Sequence, residues 1–320
     1  MFLSSFRYME TFNKTSETRF ILLGLSDFPC LQVIYFLLFF YVYIFTLFGN
    51  ILIITVVSIK AQLHTPMYFF LKNLSCIDIF LSTAIVPKLL ENTLAKDRSI
   101  SFMGCASQLY LSSSMMSTEC VMLAVMAYDR YVAICHPLHY KTIMSQRLCF
   151  SLAAGSWTVS FLNCFFHVYL AFQLPFCRSN LMNHFFCELR PLFHLSCKDI
   201  LFNEIAMYIA ASTIAAPSFL LTIISYIHII STILKINSMS GRHKTFSTCT
   251  SHISVVTLFY SNILFTYLHP HSGYSPEKNK IMSLLYTTLM PLINPIIYCM
   301  RNKNFIDSIK SGRKHIIQKA

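Results

Sequence analysis

The sequence contains few charged side chains. Only 12% of its 320 residues are Asp, Glu, Lys or Arg, whereas 55% are hydrophobic; an ordinary soluble domain carries about 25% charged residues. So few charges cannot cover the surface of a soluble domain. Intrinsic disorder is excluded as well, because it requires low hydrophobicity with a high charge density. The formal net charge of +12 would suggest nucleic-acid binding, but the basic residues are dispersed among short segments, so we expect no nucleic-acid partner.

Linkers, repeats and catalytic motifs are also missing. No Gly/Ser-rich linker or tandem repeat divides the chain, so we predict a single domain over residues 1–320. No Gly-x-Ser-x-Gly, His-Glu-x-x-His or Ser/His/Asp set occurs in the apolar segments, which argues against an intramembrane enzyme. A transporter or channel would show inverted repeats or a lane of charged residues, and the sequence offers only Asp78 and Glu119.

Long apolar runs are abundant instead. A membrane-spanning helix needs about 20 mostly apolar residues. Six runs are free of charged residues, a seventh is interrupted only by Asp78, and the third continues past Glu119 to Tyr128. The sequence therefore predicts an all-α membrane protein, a seven-transmembrane helix bundle within residues 28–300. The runs are 28–59, 73–87, 99–118, 148–177, 205–234, 245–276 and 281–300.

Basic residues are distributed unevenly between the two sides of this bundle. The side with the C-terminus holds 14 of the 25 Lys and Arg residues and only two acidic ones, Asp129 and Asp307. Because positively charged loops stay in the cytoplasm, we predict an extracellular N-terminus (1–27) and a cytoplasmic tail (301–320). Asn13 begins an Asn-Lys-Thr glycosylation acceptor, which agrees with this orientation.

The predicted tail combines apolar and basic residues on one helical surface. Phe305, Ile306 and Ile309 share a face, with Lys303 and Lys310 beside it. Such a helix would lie along the inner leaflet and contact membrane lipid.

Four of the 12 cysteines are predicted on the outer side. They are Cys105, Cys177, Cys187 and Cys197. That side faces an oxidising compartment, which favours disulfides, but four cysteines allow three pairings and the residues alone do not choose. His184 and Glu188 flank Cys187 and suit a soft metal ion; because a disulfide would remove the Cys187 thiolate, we predict no metal site.

The segment from Met126 to Pro137 reads MAYDRYVAICHP and closes the third predicted helix. With four further motifs it resembles rhodopsin-like G-protein-coupled receptors, in the form typical of olfactory (odorant) receptors, over Phe20 to Lys303. The other motifs are Gly49-Asn50, LHTPMYFFL at 63–71, KTFSTCTSH at 244–252 and PLINPIIY at 291–298. Thr245 and Cys299-Met300 depart from the usual Ala and Ser-Leu.

The resemblance implies a plasma-membrane receptor that binds a small volatile odorant and activates a stimulatory, olfactory-type heterotrimeric G protein, raising cyclic AMP. It also implies the disulfides Cys105–Cys187 and Cys177–Cys197.

One face of the third predicted helix carries residues at spacings of three and four. They are Leu109, Ser112, Ser113, Met116 and Ser117. Small residues on such a face also serve ordinary helix packing, but the resemblance places the ligand pocket here. Because Ser112 stands at the amine-binding position, a mostly apolar, uncharged ligand held by one or two hydrogen bonds is implied. The other matching positions are Ala210, Ala211, Ile214, Tyr260, Ile263, Leu264, Tyr267, Leu284 and Thr287.

Arg130 lies at the predicted cytoplasmic end of the third helix. Charged residues near a membrane are costly and usually functional. The alternative is that Arg130 only extends its side chain to the interface. The resemblance implies a switch: Arg130 pairs with Asp129 at rest and turns towards Tyr226 and the G protein when the sixth helix moves outward. The implied switch residues are Asp129, Arg130, Tyr131, Tyr226, Asn294, Pro295 and Tyr298.

Asp78 and Glu119 are both predicted near the middle of the membrane. Two buried carboxylates do not both ionise without a compensating cation. Either a sodium ion lies between them, with Asn50 and Asn294 beside it, or one carboxyl is protonated. The sequence favours neither hypothesis, and no other cofactor is expected.

Overall fold

The computed structural model describes residues 19–25, 28–177, 179–268, 276–300 and 305, and within them seven long helices form one bundle. Six are long and apolar enough to cross a membrane, and α6 has a shorter apolar part, Cys249–Phe265. The predicted seven-helix fold is confirmed. The helices are α1 (Pro29–Ile59), α2 (Pro66–Leu94), α3 (Phe102–Cys135), α4 (Gln146–Phe172), α5 (Leu201–Leu234), α6 (Met239–Leu268) and α7, which joins Pro276–Leu284, a π-helical turn Leu285–Leu289 and Met290–Met300.

Two predictions lie outside the described residues. The glycosylation acceptor Asn13 is one, and the tail helix at 301–320 is the other, except for the buried side chain of Phe305.

Several helices extend beyond the charge-free runs. Helix α2 includes Lys72, Lys88 and Glu91, and Lys88 Nζ lies 2.9 Å from Glu91 Oε1 at its outer end. Long charged side chains at helix ends reach the interface while their backbone remains helical. The charge-free runs in the sequence are therefore shorter than the helices that contain them.

Local signals define where the helices begin. Pro29 and Pro66 occupy the first turns of α1 and α2, where the missing proline N–H costs no helical hydrogen bond. Ser101 caps α3 by accepting a hydrogen bond from the Gly104 amide at 3.1 Å. Ser145 caps α4 in the same way.

Helix α3 lies at the centre of the bundle and packs against α2, α4, α5 and α6. Its core side chains include the fully buried Met122 and Met126. By contrast, α1 and α4 expose large apolar side chains such as Phe48 and Phe166, at 66% and 65%. Large apolar side chains exposed on the outside of the bundle are what contact with lipid requires.

Gly49 permits a close contact between α1 and α7. A Cβ atom at this position would lie 3.2 Å from the Cβ of Pro295, closer than ordinary carbon–carbon contacts of about 3.5–4.0 Å. The absence of a side chain at Gly49 therefore lets α1 reach the Asn294-Pro295 segment.

The outer end of the bundle, defined here by its two disulfides, carries a three-stranded sheet that the sequence did not predict. Strand β1 (Arg19–Leu22) pairs antiparallel with β2 (Ser99–Ser101) and parallel with β3 (Leu181–Met182). Phe20 and Leu22 point inward and are fully buried. The sheet therefore attaches the chain before α1 to both outer loops.

Short helices complete the described chain. They are Ala61–Leu63, Pro137–His139, Tyr140–Ile143 and Leu189–Phe193.

Two disulfides join the outer segments, with the pairing that the resemblance implies. Cys105 at the start of α3 is bonded to Cys187, with Cα atoms 5.4 Å apart. Cys177 is bonded to Cys197, with Cα atoms 5.8 Å apart. The first disulfide holds the loop between α4 and α5 against the outer end of α3.

Candidate functional site

Two small cavities lie in the outer half of the bundle. The outer cavity, of about 100 Å³, is bounded by α3, α4, α5, the loop that follows α4 and Tyr286 of α7. The deep cavity, of about 40 Å³, lies between α3, α6 and α7 and reaches Glu119. Met116, Glu188 and Tyr286 line both. These volumes are below the usual ligand-pocket range of about 300–1,000 Å³, so they suit a small ligand.

The predicted face of α3 lines the outer cavity. Ser112 and Ser113 contribute hydroxyl groups, and Ser117 Oγ lies 3.4 Å from Cys164 Sγ of α4. The structure thus brings together the residues chosen for their spacing on α3 and two of those on α5. The predicted residues that line this cavity are Leu109, Ser112, Ser113, Met116, Ser117, Ala210 and Ala211.

On α6, the predicted residues occupy different environments. Ile263 lines the deep cavity. Its neighbour Leu264 is 46% exposed, because adjacent helical residues point about 100° apart. Tyr260 is buried outside both linings; its hydroxyl accepts a hydrogen bond from Cys120 Sγ at 3.7 Å, and its ring packs against Phe219. The side chain of Tyr267 lies outside the described part of the chain.

Three further predicted positions also lie outside both cavity linings. Ile214 is buried in the main core, and Leu284 packs against that core. Thr287 is fully buried and donates a hydrogen bond to the Ser283 carbonyl at 2.7 Å. The π-helical turn changes the direction of successive side chains in α7, and Tyr286 is the residue that faces the cavities.

Several lining residues were missed by sequence reasoning. Glu188 is the most important, because it is a carboxylate in both cavities, whereas every pocket residue implied from the sequence is uncharged. The available signal was its place next to Cys187, which was considered only for metal binding. The missed residues are Asn163, His167, Phe186, Glu188, Leu189, Arg190 and Met207 in the outer cavity, Phe259, Asn262, Glu188 and Met290 in the deep cavity, and Tyr286 in both.

Hydrogen bonds fix the position of Glu188. Gln108 of α3 accepts a hydrogen bond from the Cys187 amide at 2.9 Å. Glu188 Oε2 accepts hydrogen bonds from Ser283 Oγ at 3.1 Å and Asn279 Nδ2 at 3.4 Å, and His184 Nε2 lies 3.1 Å away. The loop carboxylate is therefore attached to the outer end of α7.

Burial perturbs both titratable groups of this cluster. It raises the pKa of Glu188 to about 7, although the bonds from Ser283 and Asn279 and the charge of Arg190 act in the opposite direction. Burial and the nearby charge of Lys280 lower the pKa of His184 to about 3. His184 is therefore neutral at physiological pH. The sulfur of Cys187 is held in its disulfide, so no thiolate is present here to bind a soft metal ion.

A lateral groove opens on the exterior of the bundle between α4 and α5. Its volume is about 400 Å³, and Phe166, Phe202 and Ala206 line it. Asn163 and His167 line both this groove and the outer cavity. The groove is therefore next to the cavity but faces outward.

Below the deep cavity, a buried amide joins the two membrane carboxyls. Asn294 Nδ2 lies 3.1 and 3.2 Å from the carboxylate oxygens of Asp78 and 3.3 Å from Glu119 Oε1. Asn50 Nδ2 instead donates to the carbonyls of Thr46 and Pro291. The Oδ1 atoms of Asn50 and Asn294 are buried without a hydrogen-bond partner among the described residues.

At the cytoplasmic end of α3, Arg130 Nε lies 3.8 Å from Asp129 Oδ2. Asp129 is fully buried and accepts a hydrogen bond from the Tyr140 hydroxyl at 2.7 Å. Burial and the charge of Asp129 raise the pKa of Tyr140, so its hydroxyl remains a donor. Tyr131 lies beside this pair, with its hydroxyl 3.0 Å from His136 Nε2.

A second contact joins α3, α5 and α6. His252 Nε2 donates to the Leu123 carbonyl at 3.1 Å, so Nδ1 accepts a hydrogen bond from the Tyr226 hydroxyl at 2.6 Å. His252 therefore connects three helices, α3, α5 and α6. Tyr298 is buried on α7, and its hydroxyl has no partner among the described residues.

Comparisons of the sequence with a family model and with individual proteins agree on one family. The sequence model described as olfactory receptor matches residues 39–318. Mouse Olfactory receptor 5AP2 is 47% identical over 298 residues, 93% of this chain and 94% of that protein. Mouse Olfactory receptor 5G9 is 44% identical over 308 residues, covering 96% and 97%, and human Olfactory receptor 5G3 is 44% identical over 302 residues, covering 94% and 96%.

Proposed function

Because this chain belongs to the olfactory receptor family, we propose that it binds a small, mostly apolar, uncharged odorant in the outer cavity and activates a stimulatory heterotrimeric G protein, raising cyclic AMP. The chain is a multi-pass G-protein-coupled receptor of the plasma membrane and not an enzyme. The observation that carries the proposal is the outer cavity itself. It is lined by the predicted face of α3 and lies above the residues that connect α3 to α5 and α6.

The ligand acts by its different affinity for two states of the bundle. We assign the contacts described above to the resting state. Arg130 is then held beside Asp129, while His252 holds α6 against α3 and α5. Outward movement of α6 requires the His252 contacts to break, which frees Tyr226 for Arg130 and opens a site for the G protein. Repacking of Tyr298 near Pro295 completes the change.

Two leucine substitutions test the cavity. Leucine at Ala211 adds three carbon atoms to the outer cavity, whereas leucine at Ala206 adds them to the lateral groove. The full-length receptor is expressed with a stimulatory G protein, and cyclic AMP is measured against an odorant panel. We expect A211L to lose at least 10-fold in potency and A206L to match the wild type. Equal potency of both variants and the wild type would contradict the proposed cavity.

We extend the proposal to a sodium ion at the buried carboxyl pair. Asp78 and Glu119 supply carboxylate oxygens, and the orphaned Oδ1 atoms of Asn50 and Asn294 supply amide oxygens. This all-oxygen set suits a hard cation. The ion would compensate the buried negative charge and stabilise the resting state.

The alternative is a protonated carboxyl, and ligand-independent signalling distinguishes the two. With bound sodium, ligand-independent cyclic AMP should fall when sodium replaces choline in the medium, and E119Q should remove this dependence. If the ligand-independent cyclic AMP of the wild type is the same in sodium and in choline, the protonated carboxyl is favoured.

A further inference from the structure

Glu188 occupies a position that the bundle fixes from two sides. The Cys105–Cys187 disulfide and the hydrogen bond from the Cys187 amide to Gln108 hold its backbone against α3. Ser283 and Asn279 hold its side chain at α7. It lines both the outer and the deep cavity, so a ligand that fills either one meets a preorganised carboxylate.

The two carboxylate oxygens have different surroundings. All of the hydrogen bonds from Ser283 and Asn279 go to Oε2. Oε1 has no hydrogen-bond partner among the described residues, and 15% of the side chain remains exposed. Because a carboxylate oxygen accepts about two hydrogen bonds, Oε1 is an open acceptor on a side chain that lines both cavities.

The neighbouring charges favour a neutral donor over a cation. Arg190 lines the outer cavity beside Glu188, and its charge favours the ionised carboxylate. Lys280 lies near enough to act on His184, and its Nζ donates to the Gly24 carbonyl at 2.9 Å. His184 is neutral, and Glu119 at the far end of the deep cavity is bonded to Asn294. Arg190 therefore offsets the charge of Glu188, and Lys280 adds a second positive charge near the cluster, so an ammonium group would meet repulsion that a hydroxyl group does not.

We infer that Glu188 Oε1 accepts a hydrogen bond from a hydroxyl group of the ligand, so this receptor selects small alcohols and phenols over molecules that carry acceptors alone. The apolar body of such a ligand would lie in the outer cavity against Leu109, Met116 and Phe186. The inference rests on the proposed odorant function and specifies its ligand class.

Matched ligand pairs test the inference on the full-length receptor. The panel contains aliphatic alcohols and phenols, each with its methyl ether, and the corresponding ketones and primary amines. The assay is run about one pH unit above the pKa of Glu188, where most of the carboxyl is ionised. A hydrogen bond to a charged group contributes enough for a potency ratio of roughly 10- to 100-fold. We expect alcohols and phenols to exceed their ethers by that ratio on the wild type.

The E188Q variant should remove this preference and favour ketones, because its amide also donates. E91Q is the matched control: Glu91 is exposed on α2 and paired with Lys88, so its neutralisation should leave the ratio unchanged. Surface expression is measured for every variant, and the alcohol-to-ether ratio of the wild type remains decisive if E188Q does not fold.

Two readouts separate this inference from the proposed coupling. One is cyclic AMP in cells, and the other is ligand-induced thermal stabilisation of the purified receptor. Alcohols that stabilise the receptor without raising cyclic AMP would support the inference and contradict only the coupling. Equal responses to alcohols and ethers, a preference for amines, an unchanged ratio in a folded E188Q variant, or no alcohol or phenol bound at all would each overturn it.

Discussion

Gly49 is expected to tolerate no side chain much larger than a methyl group. A Cβ atom there would lie 3.2 Å from the Cβ and 3.4 Å from the Cγ of Pro295. Alanine therefore requires a shift of a few tenths of an ångström between α1 and α7. Leucine would add three more carbon atoms at the same contact and separate the two helices.

The balance of two effects sets the magnitude. Overpacking a well-packed contact costs about 1–3 kcal/mol, whereas replacing a glycine inside a helix by another residue gains about 0.5–1 kcal/mol. G49A should therefore be nearly neutral, and G49L should be destabilised by about 1–2 kcal/mol. Gly155 is the matched control, because a Cβ atom there meets no heavy atom within 4 Å.

Thermal unfolding of the purified full-length receptor provides the assay. Buried cysteines such as Cys120 and Cys164 become accessible on unfolding, so a thiol-reactive dye reports the transition. We expect the Tm of G49L to fall by several degrees and that of G155L to be no lower than the wild type. Equal Tm values for the two leucine variants would refute the reasoning about the contact with Pro295.

The remaining predictions concern the cytoplasmic contacts and the pH response. Y140F removes a hydrogen bond to the buried carboxylate of Asp129, so ligand-independent cyclic AMP should rise by up to about 10-fold at equal surface expression; an unchanged signal would contradict this. H252F removes the bonds that connect α6 to α3 and α5 and should also raise that signal, whereas a decrease would oppose the assigned resting state. Burial raises the pKa of Glu188 from 4.5 to about 7. Ionising this buried carboxyl therefore destabilises the folded receptor as the pH rises from about 4.5 through 7. The Tm of E188Q should therefore rise relative to that of the wild type between pH 5 and pH 8. The pKa of His184, lowered to about 3 from 6.5, affects both proteins alike and leaves this Tm difference unchanged. A Tm difference that stays constant with pH would contradict the raised pKa of Glu188.

The helices and one wall of the cavity could be predicted because their signals are repeated along the chain. Each helix has a long apolar run, and the α3 face repeats at three and four residues from Leu109 to Ser117. Burial of that face then follows from its central position. On α6 the resemblance implied both Ile263 and Leu264, but Ile263 lines the deep cavity whereas Leu264 is 46% exposed.

The loop contacts could not be predicted, because they depend on tertiary geometry. Strand β1 has four residues, too few for a periodic signal, and its partners lie in two distant loops. Glu188 reaches the cavities only because the disulfide at Cys187 brings the loop to α3. His252 is in a similar position: a single histidine in an apolar helix carries no sign of the two helices that it contacts.

The wide turn in α7 affects how receptors can be compared position by position. A π-helical turn contains about one residue more than an α-helical turn of the same height. The outer part of α7 is therefore rotated by about 100° relative to an unbroken α-helix, while Asn294 and Tyr298 on its inner side are unaffected. A receptor with a regular seventh helix would place the counterpart of a neighbouring residue, rather than that of Tyr286, against its ligand. An alignment of the two would need a one-residue gap inside the helix, at Leu285–Leu289, even where the sequences look similar throughout.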